Sequence, residues 1–480
     1  MRIGILGFGL MALTACGHVA DDAAPAIDAG LDAPIVIDTQ VDDAEVAIDA
    51  GPSCPAPPTV ARPQSPAAWV RTLHSVSAPF GVAAKDGGLI LYGNFSRDDR
   101  FAVDAPLGAD SIVVKLAPDG AVQWRLPVSW RGSTSAPDLE PTGAAVRDDG
   151  TVVLIGMVRG ASVHLGDFTL AAADGIGIIA EISADGRVLD ARAIAPGSIS
   201  LRTIRIAPSG DLVLGASFRG TIDLGAGPWT MPTQEGAFVA RYDTAHHLRW
   251  ATRIGQGEAD PKSVWVDEVF LDASERVFVA ARTDGATSIT GTSVGFDGQA
   301  FTPFAFALGS DGTPLWARSL GVRSTIDGGY GYLLGVAPDG LAIFGGRVEG
   351  GLDLGEGPRP DLGQYLLATA ADGSVAWARS ASHDLGFIAG RMGDGFVVRG
   401  SADDGNAALE HVSFDGAVVG ELSFLRSHVF PFSIAPAPDG DVYVLGQFSD
   451  CFHLDGLGDV TPDLTPVRTI DSFIARIRPP

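Results

Sequence analysis

Short runs of apolar, often β-branched residues recur along most of this chain, and glycine-containing turns separate them. Examples are LILYGNF, VVLIGMV and LVLGASF, which begin at Leu89, Val152 and Leu212. Runs of this length, bounded by Asp-Gly or a related pair, are typical of β-strands joined in tight hairpins. No stretch has the sustained 3.6-residue periodicity of an amphipathic helix. The pattern predicts an all-β protein from about residue 66 onwards.

The runs and turns repeat in a fixed order, with first turns spaced roughly 45 to 65 residues apart, a period typical of repeat architectures. Each unit is predicted to hold four strands, A to D, with two-residue turns between A and B and between C and D. The aligned first turns are Asp86-Gly87, Asp149-Gly150, Ser209-Gly210, Ala273-Ser274, Asp339-Gly340, Asp394-Gly395 and Asp439-Gly440. The aligned second turns are Asp119-Gly120, Asp185-Gly186, Asp243-Thr244, Asp311-Gly312, Asp372-Gly373 and Asp415-Gly416.

The last unit ends with a strand C over residues 471–477, and no strand D follows it. The missing strand is predicted at the other end of the repeats, where residues 67–71 (AAWVR) resemble the strand D sequence around Trp316. A first strand that completes the last unit indicates a closed ring. We therefore predict a seven-bladed β-propeller of four-stranded antiparallel blades, within the usual range of four to eight blades.

The units resemble the bacterial β-propeller repeat known as SBBP. Its pattern is a Gly-x-aromatic strand, a Gly-rich middle, then Asp-aromatic-(Val/Ile)-Ala-(Lys/Arg) and a Gly-x-x-x-Trp hairpin. Residues 210–255 match it closely, and residues 110–116 and 471–477 match its strand C. The resemblance covers roughly residues 66–480, but unit 4 lacks Asp-Gly at its first turn and unit 6 lacks most of the middle segment. It implies a surface or secreted module and carries over no ligand.

The first residues, MRIGILGFGLMALTACG, form an apolar segment too short to span a bilayer and typical of a signal peptide. The segment ends in Leu-Thr-Ala-Cys, which resembles a bacterial lipobox. The resemblance implies cleavage after residue 15 and lipidation of Cys16; the alternative is an ordinary secretory signal with a chance cysteine. Either reading predicts export from the cytoplasm, and the first predicts a lipid-anchored protein of the bacterial cell envelope.

Residues 16–65 have a different composition, rich in Asp, Ala, Pro and Val. Nine acidic residues face one basic residue, Arg62. Such a segment buries too little apolar surface to offset the entropy of ordering. We interpret it as a disordered acidic tether between the anchor and a propeller domain over residues 66–480.

The net charge of −25 excludes classes of partner. Nucleic-acid binding needs a basic surface, and so does electrostatic docking to anionic lipids. We therefore expect no nucleic acid, membrane contact through the lipid anchor only, and a monomer. After lipidation of Cys16, two cysteines remain in an oxidising compartment, which predicts a disulfide between Cys54 and Cys451.

Long irregular connections are predicted on one face of the disc, because the tight A–B and C–D turns share the other. Loops on a rigid scaffold often carry binding residues. The ligand-binding candidates on this face are Trp130, Arg131, Asp260, Arg323, Tyr330, His383, Asp384, Arg426 and His428. Any single one of them is also compatible with an ordinary loop position.

Other recurring polar and aromatic residues are expected to be structural. Asp223, Asp353, His164 and His453 share a position in the Gly-rich middle, but equivalent positions on different blades lie too far apart to bind one metal. The tryptophans of strand D, including Trp250, are expected to pack against the neighbouring blade. The pair His246-His247 is expected to be solvated in a C–D turn.

No Gly-x-Ser-x-Gly, His-Glu-x-x-His, Walker or EF-hand motif is present, and we expect neither a metal nor a cofactor. The favoured function is a binding or scaffolding module for a protein or glycan on the long-loop face. The alternative is a polysaccharide-acting hydrolase or lyase with catalytic residues on inter-blade loops. A quinoprotein-like oxidoreductase is a third possibility, with no residue that marks a cofactor site.

Overall fold

The computed structural model describes residues 68–73, 79–95, 111–127, 139–158, 162–171, 175–194, 197–255, 263–289, 292–294, 302–320, 330–348, 351–354, 358–381, 389–401, 407–424, 429–449, 451–454, 457–460 and 470–478. All of them belong to the compact unit Pro52–Pro480. The predicted signal peptide, Cys16, the tether and Cys54 lie outside the described residues. Among the residues that are described, no helix is long and apolar enough to cross a membrane.

Seven antiparallel sheets of four strands each carry the fold, which confirms the predicted seven-bladed propeller. The strands of blades 1 to 3, in the order A to D, are Phe80–Ala83, Leu89–Asn94, Ser111–Leu116 and Val122–Pro127; Leu139–Val146, Val152–Val158, Ile176–Ile182 and Val188–Ala193; and Ser198–Ile206, Leu212–Asp223, Pro228–Tyr242 and Leu248–Ile254.

The strands of blades 4 to 6 follow in the same order. They are Val264–Leu271, Val277–Thr283, Thr302–Leu308 and Pro314–Ser319; Tyr330–Val336, Ala342–Arg347, Gln364–Thr369 and Val375–Ser380; and Ala389–Met392, Gly395–Ser401, Ala407–Ser413 and Val418–Ser423. Blade 7 consists of Val429–Pro436, Val442–Phe448, Asp471–Ile477 and, as its strand D, Trp69–Thr72.

The Gly-rich middle segments form small hairpins between strands B and C. These are Ser162–Leu165 with Phe168–Ala171, Thr287–Ile289 with Thr292–Val294, Leu352–Asp353 with Pro358–Arg359, and Phe452–Leu454 with Gly458–Val460. A 3-10 helix, Pro360–Leu362, follows the hairpin of blade 5. In blade 3 the hairpin is continuous with the long strands B and C.

The ring closes through the first strand of the propeller, as predicted. Trp69–Thr72 pairs antiparallel with Asp471–Ile477, and Trp69 is the register partner of Arg476. Strand A of every blade packs against strand A of the next, including blade 7 against blade 1. The seven inner strands therefore surround a central channel.

The tight turns are three-residue loops, one residue longer than predicted. In blade 1 the amide of Gly87 donates to the carbonyl of Ala84, and the amide of Ala84 donates to the carbonyl of Gly88. Gly87 lies at a φ of +82°. This is a type I turn followed by a left-handed residue, an arrangement that places a bulge in the hairpin. The side chain of Asp86 accepts a hydrogen bond from the amide of Gly88 at 3.1 Å, which explains the recurring aspartate.

Three turns are shifted from their predicted positions. Glu275 and His246, at φ values of 59° and 62°, occupy the left-handed position that glycine holds elsewhere. In these two loops Asp272 and Asp243 precede the turn and accept hydrogen bonds from two backbone amides each. The left-handed residue therefore lies one position beyond the predicted pair Ala273-Ser274 and two positions beyond the predicted pair Asp243-Thr244. In blade 6 the turn is the two-residue Gly393-Asp394, because Met392 pairs directly with Gly395.

The hydrophobic core lies between adjacent blades. Strand B of blade 2 and the strands C of blades 4 and 7 are buried along their whole length. Both faces of a central strand are covered by a neighbouring blade, which explains why these strands are continuous apolar runs.

Each tryptophan of strand D fastens its blade to the next one, as predicted. The indole Nε1 of Trp69 donates to the carbonyl of Pro118 at 2.8 Å, and the ring lies against Gly120. A Cβ atom on Gly120 would lie 2.9 Å from the ring, so the turn needs glycine for contact as well as for its φ of +82°. The same arrangement joins Trp124 to Gly186, Trp250 to Gly312, Trp316 to Gly373 and Trp377 to Gly416.

Two blades lack this tryptophan, and the next blade differs at the position that would face it. In blade 2 the position is Asp190, and the facing turn carries His246 in place of glycine. The expectation that His246 is solvated is wrong, since its side chain is only 4% exposed, whereas the His247 side chain is 81% exposed. In blade 6 the position is Gly420, and the next blade has no covalent C–D turn because its strands C and D come from opposite ends of the chain.

Candidate functional site at the mouth of the channel

The long connections predicted to carry the ligand lie outside the described residues. This applies to Trp130, Arg131, Asp260, Arg323, His383, Asp384, Arg426 and His428. Tyr330 is the first residue of strand A of blade 5, but its side chain is not described. The strands that flank these connections all end on one face, here called the loop face. The site is therefore built from the inner strands where they approach that face.

A β-bulge interrupts the innermost strand at the same place in five blades. The register of strand A against strand B shifts by one residue there, and the extra residue has no partner in the ladder. The extra residues are Thr142, Arg202, Asp267, Leu334 and Phe432. Bulges redirect side chains and are frequent beside functional sites. The bulge residues are polar in blades 2 to 4 and apolar in blades 5 and 7, so the ring of inner strands is chemically asymmetric.

Asp267 interacts with arginines of blades 3 and 4. Its Oδ1 lies 3.6 Å from Nε of Arg282, and the charge of Arg202 also acts on it. Burial raises the pKa of Asp267, and the two arginines oppose that rise. Nε of Arg202 is buried and has no hydrogen-bond partner among the described residues, so this donor is available to another anion.

Glu268 follows directly and faces a different set of groups. Its Oε2 lies 3.1 Å from both Nη2 of Arg205 and Oγ1 of Thr203. Its side chain retains 37% exposure, since it borders the channel, yet protein surrounds it closely enough that desolvation raises its pKa. The guanidinium of Arg205 also lies 4.1 Å from the ring centre of Phe270.

Charges on opposite sides of the channel influence each other. Burial raises the pKa of Tyr92, and the charge of Glu268 adds to that rise while Arg205 opposes it. Tyr92 belongs to blade 1, whereas Arg205 and Glu268 belong to blades 3 and 4. Charged groups of blades 3 and 4 therefore act on a side chain of blade 1.

Nearer the loop face, blades 3 and 4 form a connected polar and aromatic surface. Trp265 and Arg282 are register partners on strands A and B of blade 4, with the guanidinium 5.8 Å from the indole ring centre. The indole Nε1 of Trp265 donates to Glu235 at 2.7 Å, and Arg219 donates to the same carboxylate oxygen at 3.3 Å. We call Arg202, Arg219, Glu235, Trp265, Asp267 and Arg282 the blade 3–4 cluster.

An aromatic surface lies on the other side of the ring, on blades 6, 7 and 1. Phe80 packs against Tyr92 and Phe432, with ring centres 6.0 and 6.5 Å apart. The guanidinium of Arg399 lies 4.0 Å from the ring centre of Phe430. Phe80 and Phe430 remain 43% and 50% exposed. We call these five residues the aromatic cluster.

The chemistry of these clusters suits recognition of a polar ligand with apolar faces. The blade 3–4 cluster holds three arginines and two carboxylates, a local cationic excess in a chain of net charge −25. Among the described residues, no group of three or more His, Cys, Asp or Glu side chains is arranged to hold a metal ion. Asp223 instead accepts hydrogen bonds from the amides of Gly225 and Gly227, at 2.8 and 3.1 Å, as its position in a turn suggested.

Sequence reasoning missed the blade 3–4 cluster and the aromatic cluster. One signal was present, because the alternation of strand A in blade 4 (VWVDEVFL) breaks at two consecutive acidic residues, Asp267 and Glu268. Such a break in period-two alternation marks a bulge. The remaining members come from strands of different blades, so no local pattern connects them.

Two open grooves lie outside the channel, between blades 4 and 5 and between blades 3 and 4. They are lined by Trp316 and Trp250 with the turns that these indoles contact. Because the same tryptophan–turn contact recurs around the ring, these grooves reflect the joining of blades.

Together the fold and the channel define a seven-bladed β-propeller with an asymmetric mouth on its loop face. No protein-family model matches the chain, and no curated protein matches it. Similar solved structures include a protein of unknown function from Bacteroides caccae (11% identity, 70% of this chain and 93% of that chain, TM-score 0.36). Another is virginiamycin B lyase from Staphylococcus aureus (11% identity, 74% of this chain and 99% of that chain, TM-score 0.37). A third is the WD40 repeats of RRP9 (11% identity, 87% of this chain and 100% of that chain, TM-score 0.44). The assignment of the fold rests on the strand pairing of this chain.

Proposed function

We propose that this chain is a lipid-anchored, extracytoplasmic β-propeller that binds a protein or glycan ligand on its loop face, as a binding or scaffolding module. The observation that carries the proposal is the pair of clusters at the channel mouth. Charged groups from blades 3 and 4 lie on one side, and half-exposed aromatic rings from blades 6, 7 and 1 lie on the other. Exposed aromatic residues beside fixed polar groups are typical of binding surfaces.

The location of the protein outside the cytoplasm is part of the same proposal. An apolar run that ends directly at Cys16, followed by an acidic tether over residues 16–65, supports a module displayed away from a membrane. The likeness of the repeats to SBBP supports a surface role. The acidic charge of the chain argues against nucleic acid as the ligand.

Binding to glycan and protein arrays tests the function, with the full-length Cys16→Ser chain as probe. Phe430→Ser should abolish or strongly weaken any specific signal, because Phe430 is 50% exposed on the loop face. Leu315→Ser is the matched control, since Leu315 is equally exposed but lies beside the C–D turn of blade 4, on the opposite face. Equal loss in both variants, or the absence of any specific ligand, would reject the proposed site.

A polysaccharide hydrolase or lyase is the second candidate, and one observation favours it. Burial raises the pKa of both Asp267 and Glu268, which is the direction of shift that a general acid needs. Release of new reducing ends or unsaturated products from array-positive glycans measures this activity. If the parent chain turns over a glycan and Glu268→Gln does not, the protein is an enzyme and the proposal of a binding module is wrong. If the parent chain binds a glycan without turnover, the enzyme proposal is wrong.

A further inference from the structure

We infer that the blade 3–4 cluster recognises an acidic polysaccharide, with the carboxylate of a uronate residue bound by Arg202 and Arg282. This inference rests on the proposed function, because it assumes that the ligand of the propeller enters at the loop face. It adds the chemical class of that ligand and the residues that select it.

Arg202 has a donor group that the described part of the protein leaves unsatisfied. This residue is the extra residue of the strand A bulge in blade 3, so the regular ladder does not determine its orientation. Its Nε is buried and has no hydrogen-bond partner among the described residues. A buried, unsatisfied guanidinium donor is costly unless another group occupies the site for part of the time.

The charge around Arg202 also favours an anionic group. Asp267 is the carboxylate whose charge interacts with Arg202, and Asp267 also lies 3.6 Å from Arg282. Asp267 thus interacts with both guanidinium groups. A planar carboxylate from a ligand matches the fork geometry of arginine.

The acceptors and the indole of the cluster favour a sugar over an acidic peptide. Sugar hydroxyl groups are hydrogen-bond donors, and the cluster offers Glu235 and Asp267 as partly buried acceptors. The carboxylate side chains of an acidic peptide have no hydroxyl donors for these acceptors. The indole of Trp265 is fixed by its hydrogen bond to Glu235, and a fixed aromatic ring suits the apolar face of a pyranose. A polysaccharide with both carboxylates and hydroxyls uses all of these groups.

The overall charge of −25 does not prevent this contact. Nine acidic residues of the chain belong to the segment 16–65, outside the seven blades. Charges more than a Debye length away, about 8 Å at physiological ionic strength, are largely screened. The charges that act most strongly on a bound carboxylate are those next to it, which include Arg202, Arg282, Asp267 and Glu268.

Calorimetric titration of the full-length Cys16→Ser chain with polygalacturonate, in the presence of a chelator, tests the inference. Its fully methyl-esterified form is the matched ligand control, because esterification removes the charge and keeps the sugar backbone. We expect the acid form to bind at least about tenfold more tightly than the ester. Arg202→Gln should lose about the same factor, and Arg202→Lys should retain part of the affinity because it keeps the charge without the fork.

Arg192→Gln is the protein control, since Arg192 is a half-exposed arginine on the outer strand D of blade 2, paired with Asp190. It should bind as the parent does, and thermal unfolding should show that both glutamine variants remain folded. If Arg202→Gln does not fold, the comparison of acid and ester on the parent chain decides alone. Equal binding of acid and ester, or full affinity in a folded Arg202→Gln chain, overturns the inference.

The two proposals fail in different ways. A neutral glycan or a protein that binds through Phe430, with no binding of polygalacturonate, overturns the uronate inference and leaves the binding function intact. No specific ligand on the arrays and no polygalacturonate binding overturns both.

Discussion

The indole Nε1 of Trp69 and the side chain of Arg476 both donate to one backbone carbonyl, that of Pro118, at 2.8 Å each. Trp69 and Arg476 are register partners in blade 7, near opposite ends of the chain, and Pro118 begins the C–D turn of blade 1. Arg476 is almost fully buried and is also paired with Asp441 and Asp439. One carbonyl thus joins both chain ends of blade 7 to blade 1 and closes the ring.

Removal of the closing strand is expected to be far more damaging than removal of the tether. Deleting residues 67–73 removes Trp69–Thr72 and exposes the edge of Asp471–Ile477, and an unpaired edge promotes aggregation. Deleting residues 21–49 should leave the melting temperature within a few degrees of the parent. Size-exclusion chromatography and thermal unfolding measure both effects. Two truncations that melt alike and stay monomeric would contradict closure by this strand.

The contact between Trp69 and Gly120 can be separated from the backbone strain of the turn. Gly120→Ala should destabilise the protein by roughly 2–4 kcal/mol, because alanine is strained at a φ of +82° and its Cβ would lie 2.9 Å from the indole. Gly220→Ala is the matched control, since Gly220 has a φ of +70° and nothing within 4 Å of the added Cβ. Gly220→Ala should lower the free energy of unfolding by only about 1–2 kcal/mol. Denaturant unfolding gives both values, and equal losses would show that the indole contact is unimportant.

The repeat pattern predicted the blade number, the closing strand and the packing of Trp69 on the next blade, since each depends on residues close in sequence. The three-residue turns were not predicted, because Asp-Gly occurs in both two-residue and three-residue loops. Arg202, Asp267 and Trp265 were not brought together either. Their proximity depends on a bulge and on the packing of blade 3 against blade 4, and neither is a local property of the chain.

The interface between blades 2 and 3 should lose more stability in acid than the interfaces that a tryptophan joins. Nε2 of His246 lies 3.1 Å from Glu181, and this contact, together with Arg147, holds the pKa of Glu181 below its usual range despite partial burial. A carboxylate with a lowered pKa contributes stability above its unfolded pKa of about 4.3, and the contribution is lost as the pH falls through the folded value.

His246→Gly should therefore reduce the difference in unfolding free energy between pH 7 and pH values below about 4. Glycine also fits the φ of 62° at this position, so the variant is expected to fold. His247→Gly is the control, because its side chain is 81% exposed. If both variants have the pH profile of the parent, the contact with Glu181 contributes nothing. Adding Asp190→Trp to His246→Gly should recreate the tryptophan–glycine contact of the other blades and raise the melting temperature.

Anchoring is tested by a single substitution. Cys16→Ser should leave the protein exported but soluble, because an apolar run of this length does not hold a chain in a membrane. Metabolic labelling with a fatty-acid analogue, followed by fractionation, measures the effect. Absence of label on the parent chain would exclude the lipoprotein interpretation, whereas label that is lost in Cys16→Ser supports it.

The last prediction is the disulfide between Cys54 and Cys451. Cys451 directly precedes the small hairpin strand Phe452–Leu454 of blade 7, the blade that Trp69–Thr72 completes. Cys54 precedes residue 67 by thirteen positions, and at about 3.3 Å per residue that stretch can reach any part of the blade. The bond would enclose almost the whole propeller, so the loop-entropy argument gives an upper figure of about 4–5 kcal/mol. It would hold the closing strand at the place where the ring can open. Thiol titration of the unfolded, unreduced Cys16→Ser chain should find no free thiol, and Cys451→Ser should lower the melting temperature and leave one. Two free thiols per parent chain would rule the bond out.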